Sequence, residues 1–437
     1  VSRMEADLIV KNGTVLCLDQ GRRSFSPGAV VIKEGRILAV GPEEIAADYR
    51  AGRTLDARGG IIMPGLINSH THAAMTLFRG LADDLPLMEW LEEHIFPAEA
   101  RLCPEFIETG TRLACAEMIR GGTTCFVDMY LWEDTVARTA DECGLRALVG
   151  EVLYDFPSPH YGPIESGFSF TRELIAHYRD HPRVRVMIMP HAPYTCSPDL
   201  LQKAQALAEE SGAHLHVHLS ESAQETAQVE ERYGVRPVAH LDSLGLLTDR
   251  LLAAHGVDFT DSEIELLGQR GVRVAHCPES NMKLASGVCR LPELIRAGVR
   301  VGLGTDGAAS NNDLNLLGEM RSCALIHKVT GMDPTLAPAR TVLELATLGA
   351  ARAVGLGEEI GSLEAGKRAD LITVDIDRPH MTPLYSPESH LVYAALPSDV
   401  RHTVVQGRVL MADRELTTID LDRLRAQVAA AATACKG

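Results

Sequence analysis

No two of the ten cysteines in this 437-residue chain fall in Cys-x-x-Cys spacing, which excludes a zinc knuckle and a thioredoxin-like redox motif. Residues such as Cys125 and Cys277 sit in apolar runs and read as reduced, buried thiols. There is no apolar run of about 18 residues and no charged-then-apolar leader, so no membrane span is expected and the chain reads as cytoplasmic. Positive charge is in deficit, with 42 Lys and Arg against 59 Asp and Glu and a formal net charge of -17. Such a surface opposes nucleic-acid phosphates and anionic membranes, and neither is expected as a partner. Solenoid-length repeats, low-complexity tracts and long charge runs are also missing. What is present is a globular composition, 46% hydrophobic and 23% charged. The chain is too long for one ordinary domain but suits a barrel with a small partner domain.

Residues 7–56 carry short β-rich runs at 8–10, 15–18, 29–32 and 37–40, separated by Asn-Gly, Pro-Gly and Glu-Gly pairs, and these read as hairpins. The same texture returns at 369–375 and 400–410. Neither segment can bury two sheet faces alone, which predicts one small β-sandwich made from both chain ends. Between about residues 61 and 355, apolar runs alternate with amphipathic helical stretches, as in a parallel sheet with crossover helices. Eight candidate strands, 61–68, 123–129, 146–154, 184–190, 214–219, 251–255, 272–277 and 299–305, match the number that closes a (β/α)8 barrel. The expected α/β organisation assigns residues 1–57 to the β-domain and 58–360 to a catalytic barrel. Residues 361–437 complete the β-domain and add a terminal helix.

His70 and His72 close the first of these runs. Side chains two apart on a strand share a face, so the pair can approach one ion, although two core or surface histidines would look the same. The other strand ends weigh against that plainer reading. The fourth run leads into His191, the fifth into His218 and Glu221, the sixth into His255, the seventh into His276 and the eighth into Asp306. Chemistry in such barrels gathers at the C-terminal strand ends. Of His214, His216 and His218, which share one face, only His218 lies at the mouth; the other two are expected to pack inside the barrel. Glu221 can reach the same pocket in an acid/base role. Asp306, in Gly-Thr-Asp-Gly, could simply make an Asx-turn, but its strand end favours function. His70, His72, His218 and Asp306 would leave one position for water on a five-coordinate divalent ion, which lowers the water pKa to about 7. His255 reads as a group that orients or deprotonates this water, or as a further ligand.

Four motifs carry a family resemblance: Pro64-Gly65-Leu66-Ile67-Asn68-Ser69-His70-Thr71-His72, His218-Leu219-Ser220-Glu221, the run His276–Leu284, and Gly304-Thr305-Asp306-Gly307 with the residues to Asn312. The chain resembles the amidohydrolase superfamily over nearly its full length, and within it the S-adenosylhomocysteine/5'-methylthioadenosine deaminases. The resemblance implies one Zn2+ per chain, with Fe2+ or Mn2+ as alternatives, and a homo-oligomer. The fourth run also ends without the lysine that bridges a second ion, once carbamylated, in related two-metal hydrolases. The implied substrate is a small nucleoside, a 5'-modified adenosine that loses its 6-amino group as ammonia: 5'-methylthioadenosine, S-adenosylhomocysteine, 5'-deoxyadenosine or adenosine. By resemblance, Glu221 carries a proton to the purine ring nitrogen, while Asp306 and His255 pass the water proton to ammonia. Trp90 packs against the nucleoside, Glu99 binds the ribose hydroxyls and His191 bonds to the purine. On periodicity alone Trp90 would be a helix anchor and Glu99 a solvated charge. The resemblance weakens between Asp155 and Thr171, where Arg172 is the candidate for pairing an amino-acid carboxylate, or is simply solvated. The rival substrates are guanine, a pterin or a chlorotriazine. The His-x-Glu and Pro-Cys-x-x-Cys ligands of cytidine-type deaminases are absent.

Overall fold

In a computed structural model that describes residues 3–435, the runs at 8–10 and 15–18 form one strand, Met4–Leu16, and not two arms of a hairpin. Asn12 takes a left-handed φ of 58°, and the ladder to Ser24–Lys33 shifts register on both sides of Gly13. A Cβ at Gly13 would lie 2.6 Å from the Gly60 carbonyl. The Asn-Gly pair therefore makes a bulge against a close neighbour where the sequence pattern suggested a turn. Ser24–Lys33 and Arg36–Pro42 do pair as a hairpin.

The two chain ends join in one nine-stranded sheet. Ile61–Pro64 runs parallel to Met4–Leu16 and antiparallel to Leu371–Val374, from which the sheet continues through Val400–Val405 and Arg408–Ala412. Val10, Val30 and Ile32 share a buried cluster with Leu371 and Val404. The core of this unit thus needs side chains from both ends.

This arrangement divides the expected first barrel strand. Ile61–Pro64 belongs to the small sheet, and Leu66–Thr71 opens the barrel. Proline has no N–H to extend a ladder, and the Gly65 N–H turns to the Asp370 carbonyl at 3.1 Å. Thr123–Tyr130, Arg146–Leu153 and the interrupted pair Val184–Val186 and Met189–Pro190 follow in parallel. Leu215–Leu219, Leu251–His255, Arg273–His276 and Arg300–Leu303 form the second parallel set. The two sets meet where the Ile188 N–H donates to the His214 carbonyl and the His216 N–H to the Ile188 carbonyl, each at 2.9 Å. Around the other side, the Asp306 N–H donates to the His70 carbonyl at 3.0 Å, and the Asn68 side chain bonds Thr305 through both its ends. The ring closes at the mouth as well as along the strands.

Between the first and second barrel strands the chain makes short helical turns, Ala73–Phe78, Leu87–Glu89, Trp90–Ile95 and Phe96–Glu99, before the long helix Pro104–Gly121. Trp90–Ile95 is a π-helical turn, a form that concentrates at functional sites. Among the described residues no helix is long and apolar enough to cross a membrane.

A buried ion pair joins the barrel to the small sheet across the apolar contact the two share. Arg146, 3% exposed at the start of the third barrel strand, donates through Nε and Nη2 to the Asp370 carboxylate at 2.9 and 3.2 Å, and Asp370 also accepts the Gln406 N–H at 2.7 Å. Removing one partner leaves the other charge buried and unpaired, at a cost of about 3–5 kcal/mol. We expect Arg146→Ala to lower the unfolding free energy by about that amount in urea titration. A loss below about 1 kcal/mol would show that the pair does not fasten the two units.

Candidate active site

Four imidazoles at the mouth are each held through Nδ1. The His72 Nδ1–H donates to the Met129 carbonyl at 2.5 Å, His218 to the His191 carbonyl at 2.8 Å and His255 to Asn281 Oδ1 at 2.9 Å. His70 donates to His216 Nε2 at 2.7 Å, because His216 uses its own Nδ1–H on the Leu252 carbonyl at 2.9 Å. A carbonyl oxygen only accepts, so the proton stays on Nδ1 and the Nε2 lone pair is left for something else. That lone pair is the form of histidine that binds a metal.

The free nitrogens converge. The ligand atoms of His70, His72 and His218 lie within 4.8 Å of one another, as do those of His70, His255 and Asp306. His70 Nε2 is fully buried without a hydrogen-bond partner, its nearest carboxylate oxygen, Asp306 Oδ1, standing 3.4 Å away. His72 Nε2 is 3.0 Å from the same oxygen. An orphaned nitrogen among convergent donors fits a cation at this point. Asp306 is aimed there by its surroundings: its Oδ2 accepts the hydroxyls of Ser280 at 2.7 Å and Ser310 at 2.6 Å, leaving Oδ1 toward the histidines. Gly304 lets this turn come close, since a Cβ there would sit 2.8 Å from the His70 nitrogen. Asp306 and His255 both occupy left-handed backbone, with φ of 59° and 73°, a strain of about 1–3 kcal/mol each that the surrounding bonds must hold.

Burial decides most of the charge states. It pulls His70 down to about 4 against the opposing pull of Asp306, and holds His218 well below the ordinary histidine value. Both rings are therefore neutral. For His72 burial acts the same way, but Asp306 outweighs it and the ring rises to about 9. A cation entering the site displaces that proton. Burial alone would raise Asp306; the hydrogen bonds and charges of the neighbouring histidines prevail and hold it well below the carboxylate range. Glu221 is pushed the other way, raised by burial and by the Asp306 charge, with His255 and His72 opposing. Its Oε2 stands 3.8 Å from His255 Nε2, and its backbone N–H is held by the Glu225 carboxylate at 2.6 Å.

A cavity opens above this cluster. Trp90, Glu99, His191 and Glu221, all singled out in the sequence, line it with His72, His218, His255 and Asp306. Burial raises the Glu99 carboxyl to about 7 and lowers His191 to about 3. His191 is oriented by Thr195 Oγ1 at 2.8 Å. Tyr130, Tyr154 and Phe96 line the cavity without having been anticipated, because an aromatic in an apolar run looks like core. Ser280, Asn281 and Ser310 were visible only as letters in the quoted motifs, and His216 only as a packing residue. Two residues singled out in the sequence, Arg172 and the strand-end His276, go elsewhere. Arg172 lies half-exposed on the outer helix Ile164–Tyr178 and pairs with Glu210 at 3.0 Å, away from the cavity. A guanidinium on a helix facing solvent finds its partner on the neighbouring helix. His276 bonds through Nε2 to His327 at 3.1 Å and is not among the cavity residues.

Comparison with known proteins follows the same lines. The Amidohydrolase family pattern matches residues 61–410. A 5-methylthioadenosine/S-adenosylhomocysteine deaminase from Syntrophobacter fumaroxidans is 58% identical over 424 residues, covering 97% of each chain. A 5'-deoxyadenosine deaminase from Methanosarcina mazei is 46% identical over 417 residues, covering 95% of each. A solved adenosine deaminase from Xanthomonas campestris, with bound zinc, is 42% identical and superposes with a TM-score of 0.98 over 100% of both chains. With the barrel, the strand-end histidines and a family match over most of its length, this chain belongs to the amidohydrolase family.

Proposed function

We propose that this chain is a metal-dependent, cytoplasmic hydrolase that deaminates 5'-modified adenosines at C6, giving the inosine analogue and ammonia. The observation that carries the reading is the convergence of the histidine Nε2 atoms and Asp306 beside Glu221, whose carboxyl burial raises, beneath a cavity lined by Trp90, Glu99 and His191. The names and bound zinc of the similar proteins support it. His70, His72, His218 and Asp306 would hold one divalent ion, Zn2+ before Fe2+ or Mn2+. When bound, the ion supplies a water that ionises near neutral pH.

The rest is work for side chains. An aromatic amine leaves poorly, so Glu221 delivers its proton to the purine ring nitrogen and makes the adjacent carbon electrophilic. Asp306, ionised, and His255, fixed by Asn281, take the proton of the attacking water and return it to the amino group, which departs as ammonia. Trp90 covers the base, His191 bonds to the purine and Glu99 accepts from the ribose hydroxyls. The resemblance also supports a homo-oligomer, which light scattering reads directly.

A panel of adenosine, 5'-deoxyadenosine, 5'-methylthioadenosine, guanine, a pterin and a chlorotriazine, followed by ammonia release and by ultraviolet change, tests the substrate class. Turnover of the last three without the adenosines would reject it. For Glu221→Gln we expect full metal content and a loss of about 10²–10⁴ in kcat. Because the donor must be protonated, wild-type activity should persist below the raised Glu221 pKa and fall as pH rises through it, above the usual carboxyl range. An alkaline limb of the same pH in Glu221→Gln would assign it to another group. His70→Ala should lose the metal itself, and full occupancy by elemental analysis would count against ligation by His70.

A further inference from the structure

With Glu99 at the ribose hydroxyls, as proposed above, the residues around Glu99 are the ones that face whatever the adenosine carries at its 5' position. The site cavity and a second cleft share Phe96, Glu99 and Tyr154 in their walls, so the two adjoin. In the cleft Tyr154 and Phe156 stack at 3.9 Å with 12° between their planes, and Phe96 closes on Phe156 at 5.7 Å. The charged residues lining it are Glu92 and Glu99. Neither Arg nor Lys is among the described residues lining the cavity or the cleft. Arg172 is paired with Glu210 on the outer face, and nearby Glu151 is buried with His160 at 2.8 Å.

We propose that this outer cleft selects 5' substituents that are apolar or cationic and discriminates against those bearing a carboxylate, so that 5'-methylthioadenosine and 5'-deoxyadenosine are preferred over S-adenosylhomocysteine. The inference rests on the deaminase reading above. A methylthio group meets aromatic faces and leaves water. The homocysteine group brings a zwitterion: its ammonium can face Glu92, but its carboxylate meets two glutamates and neither Arg nor Lys among the lining residues. Like charges at a recognition surface weigh against a partner even where the rest of the ligand fits.

The distinguishing probe removes only the carboxylate. We expect kcat/KM for 5'-methylthioadenosine and for 5'-(3-aminopropylthio)adenosine to exceed that for S-adenosylhomocysteine by about tenfold or more on the metal-replete enzyme. In Glu92→Arg, an exchange at an exposed position, the ratio of S-adenosylhomocysteine to the aminopropyl compound should rise by about tenfold or more. Arg172→Ala should leave the ratio of S-adenosylhomocysteine to 5'-methylthioadenosine within about twofold. Equal or better use of S-adenosylhomocysteine by the wild type, or a selective loss of it in Arg172→Ala, would overturn the selectivity while leaving the deaminase reading intact. No turnover of any adenosine would instead reject that reading.

Discussion

Everything at the mouth of this barrel depends on where four imidazole protons sit. Each ring gives its Nδ1–H to an acceptor supplied by the barrel itself: the carbonyls of Met129 and His191, the Asn281 amide oxygen, and His216, which is in turn fixed by the Leu252 carbonyl. Two of these four acceptors, and the Leu252 carbonyl behind His216, are backbone atoms of barrel strands or of the residue directly after one. The ladder that closes the barrel therefore also sets the tautomers, and a slip of register would turn the nitrogens away as well as move them. This is why the site tolerates left-handed backbone at His255 and Asp306: the same bonds that aim the rings hold the strained residues in place.

A second consequence of burial is that two carboxyl groups in one pocket are shifted in opposite directions. Asp306 receives two hydroxyls and faces histidines, so it stays ionised. Glu221 is raised by burial against the pull of His255, 3.8 Å away, and of His72. Environments that push neighbouring titratable groups apart identify an acid and a base. The chemistry needs both, since one proton must reach the ring nitrogen while another leaves the water.

The eightfold alternation and the residues at its strand ends were legible in the sequence because both follow from local periodicity and from the rule that barrel sites lie at the C-terminal ends. The run 61–68 was misread as one strand since apolar character does not reveal which sheet a segment joins; the break at Pro64-Gly65 required knowledge of Asp370, some 300 residues away. Asn12-Gly13 carries a strong turn signal that the close Gly60 carbonyl converts into a bulge. Arg172 was a candidate by charge alone, and a charge cannot say which face of its helix is outward. The supporting residues Ser280, Asn281, Ser310 and His216 are ordinary letters until tertiary structure brings them to an Asp or a His.

On the roles proposed above, the division between the histidines at the strand ends and the cavity wall has a physical basis. His70, His218 and His255 stand on strands whose hydrogen bonds run on into the barrel, and a change there disturbs the closure itself. Trp90, Phe96 and Glu99 ride on short turns between the first strand and Pro104–Gly121, and Phe156 on the segment after the third strand, where side chains can be exchanged without breaking a sheet ladder. Reaction and selectivity are thus carried by parts of the chain with different tolerance for change. A barrel of this kind can keep one arrangement of metal-binding nitrogens and an acid while its outer segments set whether an aromatic face or an opposite charge greets the far end of the substrate.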